Sequence, residues 1–246
     1  MTIVPHFPRL LLRERQHSWN LLGVAATPGV TMDSTATFVR SDGGGFWSCS
    51  MSDVSLSGPG SGKQRQRNAT LLWRAVRQVC DGGVSPIVVW RNDALFIPFP
   101  DGFARTSSVP HSDGSPFSDG SEYFQPVIDI SCDGGADLRA TSMSISIAQA
   151  ATLIGGESFS VAHSGAGWRL YEIATVTYDE SDDTSAVITF MPPLREAVAD
   201  GEALEFERPR CTMRLANPNS MDLTVRPWTF NSASVDFIEA PVDADV

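Results

Sequence analysis

Residues 168–178 read WRLYEIATVTY, and residues 186–190 read AVITF. β-Branched and aromatic side chains at this density favour a pleated strand over a helix. In the first run Leu170, Glu172, Ala174 and Val176 fall on one side, with Tyr171, Ile173, Thr175 and Thr177 on the other. That assignment follows from the two-residue period of a strand. Apolar residues stand on both sides, so the strand is expected to pack on two faces. Between the runs, Asp179–Ser185 is polar and reads as a hairpin loop. The hairpin sets the expected class as mainly β.

The same texture runs outward in both directions. Downstream, Ala203–Glu207, Cys211–Leu215 and Val235–Ile238 read as strands, and Pro192–Ala199 as one or two helical turns opened by proline. Upstream, Phe124–Ile130, Met143–Ile147 and Phe159–Val161 read as strands. Thr35–Arg40 is a strand candidate, followed by the turn Ser41-Asp42-Gly43-Gly44-Gly45. Phe46–Leu56 continues it, and its broken period predicts a bulge or bend. Ile87–Trp90 and Leu95–Phe99 read as a hairpin around Arg91-Asn92-Asp93.

One segment has helical period. Over Ala69–Cys80, Leu71, Leu72, Ala75, Val76 and Val79 share a face, with Arg74, Arg77 and Gln78 opposite. Asn68 is suited to cap its start and Asp81-Gly82-Gly83 to stop it. Residues 101–121 hold Ser112-Asp113-Gly114-Ser115-Pro116 and then Ser118-Asp119-Gly120-Ser121, which predicts a long exposed loop. The expected organisation is two β-rich domains, sandwich or barrel. Residues 1–135 would carry the helix and the loop, and 136–246 would follow a boundary near Cys132-Asp133-Gly134-Gly135.

Composition narrows the function classes. The net charge of −11 suits a phosphate grip poorly, so sequence-specific nucleic-acid binding is not expected. No apolar run of about 18 residues exists, so no membrane insertion is expected. The opening MTIVPHFPRLLLRERQH is interrupted by Pro5, Pro8 and Arg9 and does not read as a signal peptide. Cys49, Cys80, Cys132 and Cys211 are widely spaced and read as reduced, buried thiols. The acidic end with Glu239, Asp243 and Asp245 reads as a solvated tail.

Chemical motifs are absent or incomplete. Gly58-Pro59-Gly60-Ser61-Gly62-Lys63 resembles a phosphate loop, but Ser57 and Gln64 stand where that loop needs glycine and a hydroxyl. Its continuation Lys63, Arg65 and Arg67 is a basic run suited to an acidic neighbour in an assembly. His6, His17, His111 and His163 form no metal pair, and His163-Ser164 lacks a nucleophile elbow. Asp179, Glu180, Asp182 and Asp183 lack calcium-loop spacing. Asn68-Ala69-Thr70 matches a glycosylation sequon and reads as a helix cap. No catalytic, metal or cofactor residue is assigned, no cofactor is expected, and the chain is expected not to be an enzyme. Trp19, Trp47, Trp73, Trp90, Trp168 and Trp228 leave a second reading, a carbohydrate-binding module for host-surface glycan. Core packing is the plainer use of most of them.

Two stretches and the ending carry a resemblance. The first is Ser41-Asp42-Gly43-Gly44-Gly45-Phe46-Trp47, with Leu72-Trp73-Arg74-Ala75, Asp81-Gly82-Gly83 and Pro86-Ile87-Val88-Val89. The second is Leu170-Tyr171-Glu172-Ile173, with Ile188–Arg195 and Pro209–Leu215. The ending is Ser234-Val235-Asp236-Phe237-Ile238-Glu239-Ala240. Together they resemble minor tail or distal tail (tail-tip, baseplate) proteins of long-tailed, non-contractile bacteriophages. The resemblance implies a β-rich structural subunit of the virion tail, made in the host cytoplasm. Its implied partners are further copies of itself in a homo-oligomeric ring, the tail tube protein, and tail hub or fibre proteins. Covering of exposed strand edges by neighbouring copies agrees with a chain of many short strands.

Overall fold

The strand Ser232–Glu239, SASVDFIE, alternates without a break: Ala233, Val235, Phe237 and Glu239 are buried, while Ser232, Ser234 and Asp236 are exposed. Alternation of this kind builds a sheet with one face on a core. The structure is a computed structural model that describes residues 4–30, 32, 36–41, 43–56, 63–102, 108–109, 112–119, 123–124, 126–179, 182–225 and 231–241. It is mainly β with one long helix, as expected.

In chain order the elements are β1 (Gln16–Leu22), β2 (Ala25–Val30), β3 (Ala36–Arg40), β4 (Phe46–Ser55), α1 (Lys63–Val79) and β5 (Ile87–Trp90). Then come β6 (Ser108–Val109), β7 (Tyr123–Phe124), β8 (Asp129–Asp133), β9 (Ser142–Gln149), β10 (Ser158–His163), β11 (Gly167–Asp179) and β12 (Asp182–Met191). The last two are β13 (Arg210–Leu215) and β14 (Ser232–Glu239).

The chain packs as two units. The first is Met1–Arg91, Ser164–Leu170 and Arg210–Val246; the second is Asn92–His163 and Tyr171–Pro209. The division therefore does not fall near residue 135, which lies inside the second unit. Pairings far apart in sequence cause the difference: β5 pairs with β13, and β14 with β4, so the first unit needs both ends of the chain.

The first unit is built on an antiparallel sheet of order β1-β4-β14-β13-β5. Met51, Val54, Leu56, Met213, Leu215, Val235 and Phe237 share one core with Ala69, Trp73, Val76 and Cys80 of the helical segment. Each fully buried apolar side chain of this size contributes about 1.5–3 kcal/mol. The bulge expected in 46–56 is present. Ala233 faces Val54 and Val235 faces Met51, so Ser52 and Asp53 together oppose Ser234, with Asp53 at φ 51°.

Three local expectations for this unit are corrected. The helix starts at Lys63, so Asn68 lies inside it and is not its cap. Its buried line is Ala69, Trp73, Val76 and Cys80, leaving Leu71, Ala75 and Val79 exposed. The large indole of Trp73 sets the rotation, with Nε1 donating to Met221 O at 3.2 Å. Leu95–Phe99 is not a strand; Ile87–Trp90 finds its partner in β13, not in a local hairpin. The stop at Asp81-Gly82-Gly83 holds, with Gly83 at φ 98° and its Cα against Leu215, where a Cβ would lie 3.1 Å from the carbonyl oxygen.

The second unit holds the antiparallel order β10-β11-β12-β9-β8. Both edges of that sheet bind residues 202–205. Leu204 N donates to Ile130 O and Cys132 N to Glu202 O on the β8 side, each at 2.9 Å; Ser160 and Glu205 exchange bonds of 2.9 Å on the β10 side. The loop thus joins the two edge strands and completes a ring of backbone hydrogen bonds around Phe159, Tyr171, Ile188, Phe190 and Phe206. Closure removes the edges that an open sheet leaves unpaired. Ala203–Glu207, expected as a strand, contributes isolated bridges only. Pro192–Ala199 is not helical; Val198 instead bridges to Ala136. Phe124–Ile130 divides into β7 and β8. In β11 Leu170 belongs to the first core and Tyr171 and Ile173 to the second, but a bulge follows Ile173 and Ala174, Thr175 and Thr177 are exposed, so the strand is not packed on both faces along its length.

Candidate interaction surfaces and a buried polar knot

Part of the resemblance lies in the first unit, while Tyr171–Ile173 and Ile188–Arg195 lie in the second. Gly45 has φ +86°, and a Cβ there would sit 2.5 Å from Leu22 O, so only glycine fits the turn into β4. The turn delivers Trp47, whose Nε1 donates to Leu170 O at 2.8 Å. The Trp47 backbone N–H donates to Glu239 Oε2 at 3.0 Å. Glu239 Oε1 in turn accepts from Arg169 Nη1 at 3.1 Å, and both side chains are buried. Arg169 donates further to Ala166 O at 2.8 Å and Ala240 O at 2.6 Å. Glu239 and Ala240 close the stretch Ser234–Ala240 that carries part of the resemblance. A buried ion pair of this kind is tolerated because its remaining hydrogen-bonding positions are filled. Reading by residue type misses the pair; a carboxylate at an inward position of the alternating strand Ser232–Glu239 is the signal that finds it.

A second buried pair ties the N-terminal segment down. Arg9 contacts Glu14 and the carbonyl of Trp90, and its guanidinium lies 5.0 Å from the Trp90 ring centroid. His17 Nδ1 stands 3.5 Å from the same Glu14 carboxylate. A shallow open groove lies along Arg15, Gln16, His17, Ser18, Ser50 and Ser52. Ser50 is held by Asp236 at 2.5 Å and Ser52 lies 3.5 Å from Gln16, so these two hydroxyls already have a carboxylate and an amide partner.

His163 Nε2 and Tyr171 Oη share a buried hydrogen bond of 2.8 Å, and Tyr171 Oη also accepts from Arg195 N at 3.1 Å. His6 is held below its usual range, first by burial and then by the nearby Arg210 cation. All four cysteines are buried and free, as expected. Burial pushes the Cys49 thiol up to about 12 and Cys80 up to about 11, and raises Cys132 and Cys211 as well. Such thiols are poor nucleophiles. Among the described residues no three metal-ligating side chains come together, and no helix is long and apolar enough to cross a membrane. The phosphate-loop-like residues 57–62, His111, Glu180, Trp228, Asp243 and Asp245 lie outside the described residues, as does much of the expected loop 101–121.

The five described tryptophans take part in packing. Trp47 and Trp73 are buried, Trp19 meets Trp47 edge to face at 6.4 Å, and Arg210 covers Trp168 at 4.5 Å. No row of open indole faces, as a sugar platform needs, is formed by these five.

Two surfaces stand out instead. β2 and β3 pair only with each other, and every residue of β3 is exposed. Phe38 is 71% exposed and Met32, at the turn, is fully exposed. An isolated two-stranded hairpin is marginal in water, so such an arm gains order by packing on something else. The other surface is the outward face of α1. No protein-family model matches the chain, and no curated protein matches it.

Proposed function

We propose that the chain is a structural subunit of a bacteriophage tail tip, forming a ring that joins the tail tube to the hub or host-recognition apparatus. The observation that carries this reading is the exposed arm of β2 and β3, which presents Phe38 and Val39 outside any core of its own chain. The resemblance at Ser41–Trp47, Leu170–Ile173 and Ser234–Ala240 supports it, since Trp47, Leu170 and Glu239 of those segments take part in the buried knot with Arg169. A rigid β unit with a projecting arm suits head-to-tail contacts repeated around an axis.

The reading is tested on purified virions of the phage that encodes the chain. Antibody-gold labelling is expected at the distal end of the tail, and disruption of the coding sequence is expected to leave particles without complete tails. Complete, infectious virions that lack the protein would overturn it.

A further inference from the structure

Helix α1 carries Lys63, Arg65, Arg67, Arg74 and Arg77 and no carboxylate. It thus holds five of the chain's eighteen basic residues, and the rest of the chain carries −16 against −11 for the whole. Arg67, Leu71, Arg74, Ala75, Gln78 and Val79 recur at three- and four-residue steps, so they line one side of the helix, and all are exposed. Leu71 is 48% and Val79 46% exposed. Arg77 lies 3.8 Å from Asp222. This face is an apolar stripe framed by arginine on an otherwise acidic chain.

The second unit presents the complement. Asp133, Asp137 and Asp200 are exposed and Glu202 half-exposed; Leu138, next to Asp137, is 58% exposed, and Arg139 after it is exposed as well. Backbone pairing fixes these residues in place. Gly201 N donates to Cys132 O at 2.8 Å and Gly134 N to Asp200 Oδ1 at 2.8 Å, while Ala136 and Val198 exchange bonds of 2.9 and 2.8 Å.

We infer that the basic face of α1 on one copy docks on the Asp133/Asp137/Asp200 patch of the next copy, with Leu71 and Val79 against Leu138. The inference rests on the ring reading and names its contact. The occupant is a second copy because the same chain carries both faces with opposite charge and matching apolar centres. Charge complementarity orients such a contact and rejects the wrong pairing, helix against helix or patch against patch. The two faces are different surfaces, so the contact is heterologous and propagates from copy to copy until it closes.

The experiment is charge exchange read by light scattering. One variant carries Arg67→Glu and Arg74→Glu; the other carries Asp133→Arg and Asp137→Arg. Each is expected to fold, by circular dichroism, and to run as a 26.6 kDa monomer where the wild type assembles. Mixed in equal amounts they are expected to assemble again, because each then meets an opposite charge on its neighbour. Wild-type assembly should weaken at least about tenfold between low and about 0.5 M salt. Variants that assemble like wild type overturn the docking contact and leave the ring reading standing. A wild type that stays monomeric at every concentration and salt removes the ring reading and this contact with it. Tight binding of a labelled DNA duplex, lost only in the Arg67→Glu, Arg74→Glu variant, would make nucleic acid the occupant and overturn the inference.

Discussion

Arg169 and Glu239 are charged residues at positions where the first unit is otherwise apolar, and each fills the other's need. Arg169→Met would leave the Glu239 carboxylate buried without its cation, at a cost of about 3–5 kcal/mol. Urea unfolding is expected to show that loss, while Arg214→Met on the exposed side of β13 stays within about 0.5 kcal/mol. Equal effects at the two sites would contradict the account of the knot. The thiols make a prediction of the opposite kind. Cys80 and Cys49 have folded values raised from 9.0 to about 11 and about 12. Their contribution to stability is therefore whole below pH 9 and is lost as pH rises through 11 to 12, because the unfolded chain ionises first. The urea midpoint is expected to fall between pH 8 and pH 10.5, and a thiol reagent at pH 8 is expected to modify none of the four cysteines before unfolding. Rapid modification of the native protein would contradict their burial.

At the scale of elements, periodicity found the helix and misjudged its rotation. Leu71, Ala75 and Val79 share a four-residue spacing as good as that of Ala69, Trp73, Val76 and Cys80, and sequence alone gives no reason to prefer one line. The tertiary fold chooses, because Trp73 is fully buried in the same core as Met51, Val54 and Leu215. Trp73→Ala is expected to cost about 3–5 kcal/mol and Leu71→Ala no more than about 0.5 kcal/mol. The reverse order in denaturant unfolding would restore the sequence-based face. Strands were legible where apolar residues alternate, as in β4, β9, β11 and β14. They were illegible at Leu95–Phe99 and Pro192–Ala199, where local composition suggests an element and no partner strand or core line supports one. The arm of β2 and β3 belongs to the same scale. Phe38→Ser is expected to leave urea stability within about 0.5 kcal/mol while lowering self-association measured by sedimentation. A large stability loss with unchanged association would mean that Phe38 packs on its own chain.

For the whole molecule, the mainly β class was readable from texture, but the division into units was not. β4 pairs with β14 across well over half of the chain and β5 with β13 across about half, and no local feature announces such partners. The turn at Cys132–Gly135 looks like a linker because it holds two glycines, yet it lies between two strands of the same sheet, β8 and β9. Candidate chemistry was judged from motifs, and the residues the structure does bring together, Trp47, Arg169 and Glu239, came from three segments of the chain. What unites them is a buried polar network, a packing device that spacing rules for catalytic and metal sites do not describe.

The proposed role requires that the chain assemble with copies of itself. Its most direct test is the mass of the purified full-length protein by light scattering, with negative-stain images of the same sample. The account predicts a closed ring whose mass is a multiple of 26.6 kDa and whose centre is open. A uniform 26.6 kDa monomer at all concentrations would contradict it.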